Sequence, residues 1–172
     1  LKALNEFSLN DNLAFKEIYH LVGKKNKISI SDLGYLIGPI LNSGGRIGKS
    51  NYATELLSSN NSKIIKQRSL ELFQLNIRRR EIEFRILKDI NFKELTSGKK
   101  EVIIYYNANI KEGLIGIIAS RLKDHFNKPS IVITSSNNLL KSSARSISNY
   151  NIGKAIKRAL DKNIILNGGG HN

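Results

Sequence analysis

Apolar residues fall at helical spacing through the first half of the chain and in strand-like runs through the second. Residues 11–22 repeat apolar side chains at intervals of three and four, which predicts an amphipathic helix ended by Gly23 and the polar stretch to Lys27. Ser31 or Asp32 can cap a second helix carrying Leu33, Leu36, Ile37 and Ile40, with Pro39 expected to distort its later turns. The stretch Asn42-Ser43-Gly44-Gly45-Arg46-Ile47-Gly48 reads as a loop, being too rich in glycine for helix or strand. A short helix is expected around Tyr52–Leu57. The longest periodic element runs from about Ser62 to Asp89, with Ile65, Leu72, Leu75, Ile82 and Ile86 in one stripe. A helix of that length spans about 42 Å, too long for one small core, and is expected to connect two bodies. Within it Arg78-Arg79-Arg80 reads as a solvated face, with nucleic-acid contact as the alternative.

Beyond Thr96-Ser97-Gly98 the pattern changes. Val102–Tyr106 is β-branched and aromatic, as a buried strand requires, and Gly113–Phe126 reads as a helix. Strands are expected at Ser130–Thr134 after Pro129, at Leu139–Ile147 and at Asn163–Leu166, with a basic helix at Asn151–Leu160 between the last two. Alternating strands and helices imply the α/β class. The expected architecture is a helical N-terminal piece, the long connecting helix, and a layered α/β domain on a sheet of about four strands.

Composition adds a partner class. The chain has 172 residues with 28 basic and 14 acidic side chains, a net charge of +14. Residues 1–98 hold 16 basic and 10 acidic side chains, whereas 99–172 hold 12 and 4, so the shorter segment is the more basic in proportion. An excess of this size favours a polyanion, usually nucleic acid. Translation from AT-rich DNA also enriches Lys, Asn and Ile, but would not favour one end. No cysteine is present, which removes disulfides, thiolate metal sites and cysteine nucleophiles together. No run approaches the length of a membrane span and no secretory signal opens the sequence, so a cytoplasmic protein without a membrane partner is expected. The chain contains no methionine, which points to a fragment or processed piece.

Three segments carry candidate chemistry. Gly113, Gly116 and Ser120 put small residues on one helical face, a packing surface for a sheet, with Arg121 as a surface or interdomain charge. In Ser142-Ser143-Ala144-Arg145-Ser146, one arginine stands among small hydroxylic residues with no acidic partner nearby. A guanidinium fork suits bidentate phosphate recognition, and the alternative is an edge-strand surface charge. Gly168-Gly169-Gly170-His171 ends the sequence after an apolar run. Consecutive glycines with φ > 0 let backbone N–H groups form an anion-binding nest, and histidine adds a donor that becomes cationic near neutral pH. A flexible terminal tail is the competing reading.

Together these residues resemble a known family. Lys-Glu-Gly-Leu-Ile-Gly-Ile-Ile-Ala-Ser-Arg-Leu at 111–122, followed by Lys-Pro-Ser-Ile-Val-Ile at 128–133, is similar to the domain associated with DHH phosphoesterases. Ser143-Ala144-Arg145-Ser146-Ile147 and the terminal Gly-Gly-Gly-His resemble that domain's two substrate motifs, in order. Upstream, residues 38–48 resemble the segment that closes the catalytic domain in the RecJ-type branch, the single-stranded-DNA-specific 5′→3′ exonucleases. The resemblance implies a helical remnant of the catalytic domain at 1–60, a connector helix at 61–95 and the DHH-associated domain, truncated at its C-terminus, at 96–172. It implies His171 as a phosphate contact in the catalytic centre. Arg145, Ser143, Gly168, Gly169, Gly170, Arg46 and Asn42 are implied as substrate-binding.

The resemblance further implies Mn²⁺ or Mg²⁺ in the complete enzyme, none within this chain, and single-stranded DNA as partner, beside a missing catalytic domain. Only His20, His125 and His171 are present, and no Asp-x-Asp occurs, so the metal-binding half lies elsewhere and this chain alone is expected to be inactive. Ile40 stands where the family commonly has arginine, and Ile110-Lys111 where it often has Trp-His. The alternatives are an oligoribonucleotide or cyclic-dinucleotide phosphodiesterase of the same superfamily, and a non-catalytic nucleic-acid-binding fragment. A related domain ends alanyl-tRNA synthetases and serves tRNA binding there.

Overall fold

The computed structural model describes residues 7–25, 27–97 and 100–170. It divides into two compact units, Leu1–Arg85 and Ile86–Asn172. Among the described residues no helix is long and apolar enough to cross a membrane.

The first unit is helical. Helix α1 (Leu13–Leu21) starts at Asn12, whose side chain accepts from Phe15 N at 3.0 Å. It ends on Gly23, which takes φ +70° while Gly23 N and Lys24 N donate to His20 O and Tyr19 O. That left-handed closure satisfies the last carbonyls and turns Lys24 back beside Asp32. Helix α2 (Ile30–Asp32) is capped by Ser29, where Ser31 or Asp32 was expected. Ser29 Oγ accepts from Asp32 N at 3.1 Å and Asp32 Oδ2 accepts from Ser29 N at 3.0 Å, a reciprocal capping box. Asp32 Oδ2 also accepts from Tyr19 OH at 2.7 Å, and its other oxygen pairs with Lys24.

A π-helical turn at Leu33–Ile37 leads straight into α3 (Gly38–Ile47). Pro39 lies inside the continuous helical run 30–47, directly after that π-helical turn, so the expected distortion falls beside it. One expectation is corrected here. The glycine-rich stretch expected as a loop is helical through Ile47, and only Gly48, at φ +99°, ends it. Packing overrides propensity because Gly44 touches the long helix. A Cβ there would stand 3.1 Å from Leu72 Cδ2 and would run into Lys49 O. Ser43 Oγ, beside it, lies 2.6 Å from Ile40 O and 2.9 Å from Leu72 O and can donate to either. Helix α4 (Asn51–Ser58) is tied to the next helix by Arg68, which donates to Glu55 at 2.6 Å and lies 4.2 Å from the Tyr52 ring centroid.

Helix α5 (Ser62–Asp89) has the expected length but a different buried stripe. Ile65, Ser69, Leu72, Asn76, Arg79 and Glu83 are buried, at alternating intervals of four and three, while Leu75, Ile82 and Ile86 are only half-buried. Arg79 is therefore not on the solvated face expected for Arg78–Arg80; its neighbours are exposed and it is not. Its Nη1 donates to Glu83 Oε2 at 2.7 Å, and Nε and Nη2 donate to Asn76 Oδ1 at 3.3 and 3.1 Å. Burial pulls the guanidinium below its ordinary value, opposed by Glu83, with Arg80 and Arg46 adding to the fall. Ser69 Oγ, by contrast, is buried with no hydrogen-bond partner among the described residues. Ser69→Ala is expected to raise stability by about 1 kcal/mol, read from the urea midpoint, because it removes a desolvated hydroxyl that gains nothing.

The second unit is a three-stranded sheet, β1 (Ile103–Tyr106), β2 (Ser130–Ser136) and β3 (Leu139–Arg145), in that order. β1 and β2 are parallel, β2 and β3 antiparallel. Short helix α6 (Phe92–Thr96) precedes the sheet, α7 (Glu112–Phe126) crosses between β1 and β2, and α8 (Ile152–Asp161) follows β3. The α/β layering expected for this half is present: Leu114, Ile115, Ile118, Ala119 and Leu122 of α7 are buried with Ile103 and Val132 of the sheet. The segment 163–166 forms a turn and bends instead of the expected strand. Its first residues are consumed in ending α8. Asn163 takes φ +53°, Asn163 N donates to Leu160 O and Ile164 N to Ala159 O, the two-bond left-handed closure of a helix.

Candidate phosphate-binding site

The hairpin between β2 and β3 determines which side chains meet α7. Asn137 and Asn138 both take positive φ, 51° and 60°, as a two-residue type I′ turn requires. That turn fixes the register so that Thr134 faces Lys141, Val132 faces Ser143 and Ser130 faces Arg145. Ser130, Val132 and Thr134 are the buried, helix-facing residues of β2. Lys141, Ser143 and Arg145 therefore share the α7 side of the sheet, and a one-residue slip would send all three to the other face.

Helix α7 meets them with residues four apart. Glu112 lies 4.0 Å from Lys141 Nζ, Gly116 lies under Ser143, and Ser120 lies under Arg145. Arg145 Nε donates to Ser120 Oγ at 3.0 Å and Nη1 donates to Ala144 O at 3.0 Å, with Ser143 Oγ 3.5 Å from Nη1. Ser120 Oγ spends its own proton on Gly116 O at 3.1 Å, which leaves a lone pair for the guanidinium. The fork is thus held by neutral oxygens, with no carboxylate against it among the described residues, and Nη2 has no acceptor there. A fixed, exposed, unneutralised guanidinium is the arrangement that binds a phosphate.

Gly116 makes this approach possible. A Cβ at that position would stand 3.0 Å from Arg145 Nη2 and 3.2 Å from Ser143 Oγ. Gly113, Gly116 and Ser120 were expected as a packing face; Gly116 and Ser120 prove to seat the arginine. Their four-residue spacing is visible in the sequence, but the partner across the sheet emerges only from the register. Gly116→Ala is expected to leave the unfolding temperature unchanged or higher, since alanine favours the helix and the displaced group is a side-chain end. The same variant should bind a short single-stranded oligonucleotide several-fold more weakly, read by fluorescence anisotropy. Unchanged affinity would remove Gly116 from the site.

Ser146 links the arginine to the next element. Its hydroxyl donates to Tyr150 O and accepts from Ile152 N at 3.3 Å, joining the end of β3 to the start of α8. Asn151 caps that helix, its side chain accepting from Lys154 N at 2.9 Å. The glycine run returns along the same helix. A Cβ at Gly168 would stand 2.8 Å from Ile156 Cγ2 and from Ile165 Cδ1, and one at Gly170 3.6 Å from Gly153 Cα in the first turn of α8. None of Gly168, Gly169 and Gly170 takes the left-handed φ of the expected nest; among the described glycines only Gly23 and Gly48 do. Gly168 uses glycine's small size beside α8, whereas a Cβ at Gly169 would meet open space. His171 lies outside the described residues.

Asn42 and Arg46, one turn apart on α3, belong to the first unit; Ser143, Arg145 and Gly168–Gly170 belong to the second. Asn42 is exposed and Arg46 half-buried. Among the described residues no group of three or more histidine, aspartate or glutamate side chains could hold a metal ion.

The family profile of the DHHA1 domain matches residues 99–172. The chain is 37% identical over 153 residues to the single-stranded-DNA-specific exonuclease RecJ of Haemophilus influenzae, a match covering 82% of this chain and 26% of that protein. It is 30% identical over 175 residues to the RecJ exonuclease of Bacillus subtilis, covering 98% of this chain and 22% of that one. The crystal structure of RecJ from Thermus thermophilus in complex with Mg²⁺ superposes with a TM-score of 0.77 at 23% identity, covering 93% of this chain and 24% of that one, which shows the common fold. The chain thus spans about a quarter of the length of the relatives it matches. On its DHHA1 domain and its identity with RecJ proteins along most of its length, the chain belongs to the RecJ-type branch of the DHH phosphoesterase superfamily.

Proposed function

We propose that this chain is the phosphate- and DNA-binding part of a single-stranded-DNA-specific 5′→3′ exonuclease that serves DNA repair and recombination. The observation that carries this is the Arg145 guanidinium, oriented by Ser120 and the Ala144 carbonyl and left without a carboxylate. In this reading the fork takes a phosphodiester oxygen, Ser143 adds a hydroxyl, and the backbone N–H groups of Gly168, Gly169 and Gly170 with His171 complete the grip. Asn42 and Arg46 of α3 are further substrate-binding residues in this reading. Residues 1–60, 61–95 and 96–172 are its catalytic-domain remnant, connector and DHH-associated domain.

Divalent metal, Mg²⁺ or Mn²⁺ as in the Thermus structures, would supply a metal-activated water in the complete enzyme. The donor set among the described residues does not fit a two-metal centre, so no hydrolytic step is assigned to them. The test is a paired assay on the purified chain with Mn²⁺. Single-stranded DNA should bind, with affinity falling steeply as salt rises, and no nucleotide should be released. Metal-dependent turnover that scales with the chain, or binding indifferent to salt, would overturn the proposal.

A further inference from the structure

Helix α8 carries a second charged surface that the phosphate site does not use. Ile152, Ile156, Ala159 and Leu160 are buried or half-buried along one side; Lys154, Lys157, Arg158 and Lys162 are exposed on the other, with Asp161 the one acid among them. None of these four cations has an ion-pair partner among the described residues, although Lys123 and Lys141 of the same unit do. Lys154 to Lys162 extends over about 12 Å of helix, more than a single phosphate can cover. The surface begins where the arginine site ends: Ser146, next after Arg145, bonds Tyr150 O and Ile152 N, and Tyr150 is 41% exposed.

We propose that the outer face of α8 binds the sugar–phosphate backbone of the same single-stranded nucleic acid beyond the phosphate held by Arg145, with Tyr150 as a stacking platform for one base between them. The inference rests on the reading of Arg145 as a phosphate site. Charge complementarity and continuity with that site select the occupant. Like the other basic tracks that follow single strands, it pairs cations spaced along an element with an exposed aromatic ring and needs no base-specific recognition.

The experiment uses the 172-residue chain with the DNA oligonucleotides dT3 and dT15 in fluorescence anisotropy between low and moderate salt. The variant K154Q/K157Q/R158Q should bind dT15 about 10-fold more weakly, and the slope of log affinity against log salt should fall by about 2, at roughly 0.7 for each phosphate no longer neutralised. Its affinity for dT3 should stay within about twofold of the unsubstituted chain, and Lys154→Arg with Lys157→Arg should keep dT15 binding. A control, K63Q/K66Q/K88Q, removes equal charge from α5 and should change dT15 binding far less. If the α8 variant leaves dT15 affinity and slope unchanged while Arg145→Ala still weakens dT3, the track is wrong and the arginine site stands. If the α8 variant loses dT15 but Arg145→Ala leaves dT3 unaffected, the arginine site is wrong and the basic face stands. Equal losses in the α8 and α5 variants would reduce the effect to net charge and overturn the track.

Discussion

Asp32→Ala is expected to destabilise the chain by about 3 kcal/mol, measured by urea unfolding followed in far-UV circular dichroism. One carboxylate accepts from Tyr19 OH, Ser29 N and Ser29 Oγ and pairs with Lys24. Removing it strands a tyrosine hydroxyl at a residue 2% exposed and dissolves the capping box that starts the α2–α3 run. Lys24, then Ser29 and Tyr19, hold the Asp32 carboxyl well below the usual carboxylate range, against burial. Its contribution is therefore complete above the unfolded value near about pH 4 and lost only as pH falls through the lower folded value. Tyr19 carries the opposite sign. Burial first, then the bond to Asp32, raise its hydroxyl above the ordinary value. That stability is present below about pH 10 and declines as pH rises through the folded value. Tyr19→Phe should weaken the alkaline decline and leave the acid limb, still governed by Asp32, in place. A cost below about 0.5 kcal/mol for Asp32→Ala would mean the cluster contributes nothing, as many surface pairs do.

Arg145→Ala carries the second large effect, on binding instead of stability. Loss of a charge-assisted fork should weaken a short single-stranded oligonucleotide by about 10- to 100-fold, the equivalent of roughly 1.5–3 kcal/mol. The unfolding temperature should barely move, because the side chain is exposed and makes no ion pair among the described residues. Arg145→Lys keeps the charge but not the planar fork, and should recover only part of the affinity. Ser120→Ala removes the acceptor that sets the Nε edge and should cost a few-fold, with the salt slope unchanged because no charge is lost. An affinity indifferent to Arg145→Ala would place the anion elsewhere.

How far the sequence could lead follows from which interactions are local. The length of the long helix was legible from periodicity alone, and the Leu13–Leu21 helix from spacing, although Asn12, read inside that helix, caps it. Strand parity alone puts Ser143 and Arg145 on one face, because alternation is intrinsic to a strand; this was open to the sequence but was not among the expectations. Ser120 could not be named from it, since its bond to Arg145 depends on a register set by a two-asparagine turn. Ser29 was within reach: Ser-x-x-Asp is a capping box in plain sequence, and Ser31 competed for the same role. The misread segments were overridden by tertiary contact. Position 44 is glycine within a helix because the Lys49 carbonyl and Leu72 of α5 leave no room for a side chain, and Arg79 is buried because Asn76 and Glu83 lie on the same stripe to receive it. Ile164 looked like strand and serves the closure of α8 instead, through a bond from its own N–H.

The most direct measurement of the central claim is an ¹⁵N nuclear magnetic resonance titration of the chain with dT3, following the Arg145 Nε–Hε signal beside the backbone amides. The account predicts that this signal and the amides of Ser143, Ser146 and Gly168–Gly170 shift together, with one saturation curve, and that Arg145→Lys abolishes the coordinated change. Saturable shifts confined to other residues, with the Arg145 Nε–Hε signal unmoved, would contradict it.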